Sequence, residues 1–391
     1  MIERAYRFRF YPTTEQENLL RRTMGCVRLV YNKALATRTE GWYQRQERIG
    51  YEQTSSLLTE WKKQEDLEFL NDVSCVPLQQ CLRHLQTAFT NFWGQRAKYP
   101  NFKKKRNGGS AEFTRSAFKW KDSKLFLAKI KDPLNIVWSR YIPQDCQPST
   151  VTIKLDPSGR WFVSILVKDL TIKPLPKTGK KVGIDVGVTS LMTTSEGEKV
   201  ANPQQFKRLY KKLKRKQSCL SRKTKGSNNR YKACLEVAKV HAKIKDARTD
   251  FLHKLTTKLV RENDLIAIED LAIRNMVKNP KLARSISDES WGEFARQLEY
   301  KCQWYDRELI RIDCHFPSSK RCGNCGHIIN KLPLNIREWD CPECGTHHDR
   351  DINASKNISA AGLAVSVCGA GVRLEESKSR KATALKQKPK P

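Results

Sequence analysis

Polar and apolar residues alternate strictly where the sequence opens. Tyr6, Phe8 and Phe10 fall on one face, Arg7 and Arg9 on the other. This predicts a strand with one buried face, ended by Pro12. The period then changes. Leu20, Met24, Val27, Tyr31 and Leu35 recur at helical spacing behind a capping box at Thr14 and Glu17. Further helices are predicted over 54–63 and 78–93, so residues 13–95 read as a helical insert behind a first strand.

A basic stretch over 98–109 contains Pro100 and paired glycines at 108 and 109, and is expected to be a loop that reaches phosphate. β patterning returns over 111–168. Strands are predicted at 125–127, 151–155 and 161–167, with Pro157, Ser158 and Gly159 turning the last two into a hairpin. With the first strand they would close a small barrel. The Pro/Lys-rich segment 171–181 marks a domain boundary.

Beyond it, Val182, Ile184 and Val186 alternate with Gly183, Asp185 and Gly187, and a tight turn leads to a second strand at 190–194. Glycines beside a carboxylate are expected to leave room for a metal or a phosphate. A helix over 251–262 precedes a short buried strand at 265–269. Its alternation places Glu269 on the face of Leu265 and Ala267 and turns Asp270 away. A helix at 291–305 and a strand at 309–312 follow. Asp351 opens a last helix with Ala354 and Ile358 on its face, so its carboxylate should lean toward the sheet they pack on.

Charge sharpens this outline. The 391 residues hold 74 Lys and Arg against 41 Asp and Glu, a net charge of +33. Such a surplus favours a polyanionic partner, above all nucleic acid. It concentrates over 201–250, where 16 basic residues face 3 acidic ones. That segment reads as a helical hairpin broken at 226–229 and suited to tracking a phosphate backbone through Lys207, Lys211, Lys214, Arg215, Arg222 and Lys223, with Arg274 further on. No apolar run approaches the ~18 residues of a membrane span, and the first residues do not pattern as a signal peptide. Nine of the thirteen cysteines are scattered, which suits a reducing cytoplasm rather than a disulfide framework. The tail from about 375 is Lys/Ser-rich and expected to be disordered.

Two groups of residues carry candidate chemistry. Cys322, Cys325, Cys341 and Cys344 have the C-x2-C-x15-C-x2-C spacing of a structural zinc site. Four thiolates leave no open position, so this zinc would not be catalytic. His327, His347 and His348 are then spare, and expected at the polar surface or on phosphate. Asp185, Glu269 and Asp351 each stand in apolar sequence, where an unpaired carboxylate is costly. Brought together they would repel unless Mg²⁺ or Mn²⁺ sat among them, and two such ions about 4 Å apart serve phosphodiester hydrolysis. Taken singly, Asp185 could be a turn former, Glu269 a strand end and Asp351 a helix-terminal charge.

These residues carry a resemblance that covers most of the chain. Gly183-Ile184-Asp185-Val186-Gly187 resembles the first RuvC motif of the TnpB family of transposon-encoded proteins, relatives of type V CRISPR effectors. Ile268-Glu269-Asp270-Leu271 with Arg274-Asn275-Met276 resembles the second, and Asp349-Arg350-Asp351-Ile352-Asn353-Ala354 the third. The four cysteines match the family's zinc ribbon, and Phe10-Tyr11-Pro12-Thr13 and Val30-Tyr31-Asn32 its N-terminal signatures.

The resemblance implies a multidomain α/β chain, α+β in overall make-up. It comprises an RNase H-like RuvC nuclease domain (171–318 and 348–374), an inserted zinc ribbon (319–347), and a β-barrel wedge domain (1–12 and 110–170) interrupted by a helical recognition domain (13–109). It further implies a guide RNA derived from the transposon end, a double-stranded DNA target read beside a short motif, and cleavage by three acids matching Asp185, Glu269 and Asp351, in a cytoplasmic protein for which a monomer is favoured. Tyr51, Gln53, Ser55, Gln79 and Thr114 are candidates for reading the motif, with ordinary helix-surface or capping roles as the alternative. Two other functions stay open: an RNA-guided DNA-binding repressor that does not cut, and an RNA-independent DNA transposase.

Overall fold

The computed structural model describes residues 2–105, 108–143, 145–279, 283–333 and 335–367, without the side chains of Arg274, Arg284, Ser285 and Ser287. The expected disordered tail lies outside the described residues. The chain forms two compact units. One comprises Met1–Lys173 and Leu209–Asp246, the other Pro174–Arg208 and the residues from Ala247 onward.

The first unit opens on β1 (Ile2–Phe10), with Tyr6, Phe8 and Phe10 buried as the alternation requires. In α1 (Thr14–Arg45) the capping box lies one residue earlier than expected. The Thr13 hydroxyl accepts from the Gln16 N–H at 3.3 Å, and the Gln16 side chain accepts from the Thr13 N–H at 3.2 Å. Glu17 instead pairs with Arg21 one turn on. The helix α2 (Tyr51–Trp61) starts ahead of its predicted position because the Gln53 side chain reaches back to the Gly50 N–H. α3 (Cys75–Trp93) likewise starts early, with Pro77 tolerated in a first turn whose N–H groups have no partner within the helix.

Strands β2 (Gly109–Thr114), β3 (Phe118–Lys121), β4 (Lys124–Leu127), β5 (Ile136–Val137), β6 (Pro148–Leu155) and β7 (Trp161–Asp169) complete the β part. The antiparallel ladder runs β2-β6-β7-β1-β5, and β3-β4 is a separate hairpin whose Leu125 and Leu127 join the same core. That core also holds Leu20, Val27 and Leu35 of α1 and Leu78, Leu82 and Leu85 of α3, so the helical insert and the strands share one interior.

The basic hairpin is α4 (Gln205–Ser221) and α5 (Asn228–Glu262). Its residues 209–246 belong to the first compact unit. There the guanidinium of Arg160, just past the β6–β7 turn, bridges Asp156 and Asp246.

The second unit is built on β8 (Lys181–Asp185), β9 (Ser190–Thr194), β10 (Lys199–Ala201) and β11 (Leu265–Glu269). After α6 (Ile273–Met276), α7 (Ala283–Glu289) and α8 (Trp291–Tyr305) come β12 (Glu308–Ile312), the small hairpin β13 (Glu338–Asp340) and β14 (His347–Asp349), and α9 (Arg350–Val367). The sheet order is β10-β9-β8-β11-β12. The first three strands are antiparallel, and β11 runs parallel to both of its neighbours. This is the RNase H-like arrangement. Val182, Ile184, Ile266 and Ile268 pack against α5 and α8 on one face. Leu265, Ala267, Ile310 and Ile312 pack against Ile358 of α9 on the other. Among the described residues no helix is long and apolar enough to cross a membrane.

Candidate active site and metal centre

Parallel pairing brings the first two acids together. Ala267 pairs with Gly183 and Ile268 with Ile184, so Glu269 and Asp185 follow one position on, at the C-terminal ends of neighbouring strands. Such strands lie ~4.8 Å apart. The third acid arrives on α9, and Gly183 permits the approach. A Cβ at Gly183 would stand 2.2 Å from the Ser355 carbonyl oxygen and 2.4 Å from the Ser359 nitrogen. One at Gly362 would stand 2.6 Å from the Ala267 Cβ. The helix therefore lies directly on the strand backbones with Asp351 in its first turn. The missing side chain at Gly183 serves helix packing, not the expected room for a metal or phosphate.

The Asp-Arg-Asp run divides its labour. Asp349 caps α9, its Oδ1 accepting from the N–H groups of Asp351 (3.1 Å) and Ile352 (3.0 Å), while Lys199 holds its other oxygen at 2.6 Å. Arg350 donates to the Pro333 carbonyl at 2.7 Å. Asp351 is left to face the other acids.

Burial, then the charges of Glu269 and Asp351, push the Asp185 carboxyl up to about 8, against the opposite pull of Arg350 and Arg337. Burial also raises Glu269, opposed by a hydrogen bond from the Ser318 hydroxyl. Asp185, disfavoured as an anion by burial and by two neighbouring carboxylates, and Glu269, disfavoured by burial, form with Asp351 a donor set fitted to a hard divalent cation, which would relieve both the burial and the repulsion at Asp185.

Two residues at this site escaped the sequence reading. Arg337, just before β13, donates to Asp351 Oδ1 at 3.4 Å and to the Thr189 hydroxyl at 3.0 Å. Ser318, in the irregular segment after β12, bonds Glu269. Neither stands in a periodic pattern, and only tertiary docking brings them to the acids.

The four cysteines form a group whose sulfurs all lie within 4.8 Å of one another. Cys322 and Cys344 are 3.6 Å apart, as are Cys325 and Cys341. Tetrahedral zinc with Zn–S of about 2.3 Å needs sulfurs roughly 3.8 Å apart, so the cluster fits a structural zinc. Each Cys pair sits in a matching turn. Gly326 N–H donates to Cys322 O at 3.0 Å and Gly345 N–H to Cys341 O at 2.9 Å, both glycines at positive φ (80° and 69°). His348 sets its ring against Trp339 and its Nε2 3.0 Å from the Cys322 sulfur, so it buttresses the cluster and does not reach out to phosphate. His347 bonds Asp340 at 2.7 Å, and the His327 carbonyl accepts from the Cys322 N–H. Among the described residues, one other close metal-ligating group exists, the exposed run Asp313-Cys314-His315.

The nucleic-acid candidates are less gathered. Lys207, Lys211, Lys214 and Arg215 are exposed on α4, and Arg222 and Lys223 on the turn after it. Tyr51, Gln53 and Ser55 share the first turns of α2, where the Tyr51 hydroxyl accepts from Arg83 at 3.3 Å and Gln53 is engaged in its cap. Gln79 is exposed on α3, and Thr114 ends β2. The side chain of Arg274 lies outside the described residues.

Fold and site together define an RNase H-like protein with an inserted four-cysteine ribbon, joined to a helix-and-sheet unit. Family models agree segment by segment. "Helix-turn-helix domain" (HTH_OrfB_IS605) matches residues 1–47, "Probable transposase" (OrfB_IS605) 163–280 and "Cas12f1-like, TNB domain" 291–358. A Streptomyces pristinaespiralis protein named "Putative RNA-guided DNA endonuclease" is 57% identical over 390 residues, covering 99% of this chain and 96% of its own. The Escherichia coli (strain K12) protein of the same name with the suffix InsQ is 33% identical, covering 93% and 94%. In a solved Cas12f1-sgRNA-target DNA complex the protein fold matches with a TM-score of 0.56 at 15% identity, over 89% of this chain and 83% of that one. The chain belongs to the TnpB family.

Proposed function

We propose that the chain is a transposon-encoded, RNA-guided DNA endonuclease that hydrolyses target phosphodiesters beside a short motif. The observation that carries this reading is the convergence of Asp185, Glu269 and Asp351 at one end of an RNase H-like sheet, with Asp185 pushed up to about 8 by burial and its two neighbours. The naming of the nearly full-length relatives supports the guided chemistry. The guide would derive from the transposon end, and the helix-and-sheet unit would read the motif. Cytoplasmic location and a monomeric state belong to the same reading.

Asp185, Glu269 and Asp351 would hold Mg²⁺ or Mn²⁺, which would supply an activated water and stabilise the leaving oxygen. To ligate, Asp185 must first release its proton, so metal affinity rises with pH toward about 8. Ser318 and Arg337 keep Glu269 and Asp351 oriented, and Arg337 brings a positive charge beside the acids. The cysteine cluster would bind zinc and hold the ribbon folded, taking no part in chemistry.

The test is to express the chain with its flanking genomic DNA and sequence the RNA that copurifies. The complex is then given Mg²⁺ and a plasmid library with the guide-matched target beside randomised bases, with Asp185→Ala as control. Cleavage that needs the RNA and one motif, and vanishes in the control, is the expected result. RNA-dependent binding without cutting would replace the proposal with a repressor. DNA joining without RNA would replace it with a transposase.

A further inference from the structure

Between the cysteine cluster and the acids lies a set of buried amide contacts that neither centre needs for its own ligands. Asn353 and Asn357 sit one turn apart on the inner face of α9, 2% and 6% exposed. Asparagine is a weak helix former, and its amide is costly to bury unless bonded. Both amides are bonded to the same short segment. Asn353 Nδ2 donates to the Arg321 carbonyl at 2.7 Å, and its Oδ1 accepts from the Gly323 N–H at 2.9 Å, so it grips the chain on either side of Cys322. Asn357 Nδ2 donates to that same Arg321 carbonyl at 2.7 Å and to the Ser318 carbonyl at 2.8 Å. Ser318 passes its hydroxyl hydrogen bond to Glu269. Asp351 stands two residues before Asn353 on the same helix.

We propose that Asn353 and Asn357 are positioning residues that make the first cysteine turn part of the active site. Closure of residues 318–325 around the metal sets the seat of the first turns of α9, and with it Asp351. Through Ser318 it also sets the direction of the Glu269 carboxylate. A cluster with no open coordination position thereby controls catalysis through geometry. The catalytic consequence rests on the nuclease reading, while the coupling itself is a property of this unit alone.

The experiment uses the full chain purified with its RNA. Hydrogen exchange of the amides over 351–358 is followed with zinc bound and after its removal, in the wild type and in Asn353→Leu/Asn357→Leu. In the wild type, zinc removal should speed exchange in the first turns of α9 about tenfold or more. The double variant should retain one zinc by metal analysis yet exchange like the zinc-free wild type. Turnover should fall about 10- to 100-fold, as when outer-shell partners are removed. Half-saturating Mg²⁺ should rise while the KM for target DNA stays put, a split that general loosening of the fold would not give.

Exchange over 351–358 that ignores zinc in the wild type would overturn the proposal. So would wild-type turnover in a zinc-loaded double variant. Should the double variant not fold, Asn353→Ser, which keeps an acceptor near Gly323 and loses the amide donor, takes its place, and the wild-type zinc arm needs no variant. A wild type that cuts nothing would sink the nuclease reading, yet its exchange data would still decide the coupling.

Discussion

Replacing Asp185 by asparagine should stabilise the magnesium-free protein while abolishing cleavage. The folded chain holds a proton on Asp185 up to about pH 8, whereas the unfolded chain releases it near the ordinary value of 3.8. The folded state therefore binds more protons between these values, and stability falls as pH rises from about 4 toward 8. Each pKa unit corresponds to about 1.36 kcal/mol, so keeping Asp185 costs about 2 kcal/mol at pH 5 and about 5 kcal/mol at pH 7.5. The amide of Asp185→Asn does not titrate, so the variant's advantage should widen by about 3 kcal/mol between those pH values. For a unit of this size that is roughly 10 °C in Tm. Calorimetry in magnesium-free buffer that leaves zinc in place reads it directly. Adding Mg²⁺ should then raise the wild-type Tm more at pH 7.5 than at pH 5, and leave the variant unmoved. A gap that does not change with pH, or a variant less stable at pH 7.5, would refute the account of an Asp185 carboxylate disfavoured by burial and by its two acidic neighbours.

Gly183→Ala places a Cβ 2.2 Å from the Ser355 carbonyl. Urea denaturation should show a drop of about 3 kcal/mol as α9 is pushed off β8, with cleavage abolished beyond rescue by added Mg²⁺. Cys325→Ser should drop zinc below one per chain by metal analysis and open residues 320–346 to limited proteolysis, because three thiolates no longer close the site. Arg337→Ala removes the guanidinium that bridges Asp351 and Thr189, and single-turnover kinetics should slow about 10-fold or more at unchanged RNA affinity. Lys211→Ala/Lys214→Ala/Arg215→Ala should flatten the slope of log affinity against log salt by about 2, near 0.7 for each phosphate of a single-stranded RNA that is no longer neutralised. Filter binding at several salt concentrations checks it.

What the sequence disclosed and what it hid divide along a physical line. Asp185, Glu269 and the Leu265/Ala267 face were legible because a strand's period of two fixes which side a residue occupies whatever packs on it later. The cysteine site was legible because each metal turn is local, closed by bonds within six residues. Gly183 was legible as special but not for the right reason: its neighbour is the backbone of a helix some 170 residues further along the chain, and no local period announces that approach. Arg337, Ser318 and Asn357 were silent for the same cause, and Asn353, though it stands in the third motif, gave no sign of its partner. Each lies in irregular chain or carries a side chain whose partner is a distant carbonyl or carboxylate. The hairpin 209–246 shows the limit from the other side. Its charge is plain in the sequence, but charge pattern says which partner a surface prefers and not which compact unit its residues, the buried Leu213, Val240 and Ile244 among them, will join. In a chain of this kind the ligating atoms belong to local pattern. What sets their distances from one another belongs to packing that forms only when the last helix returns to the first strand of its sheet.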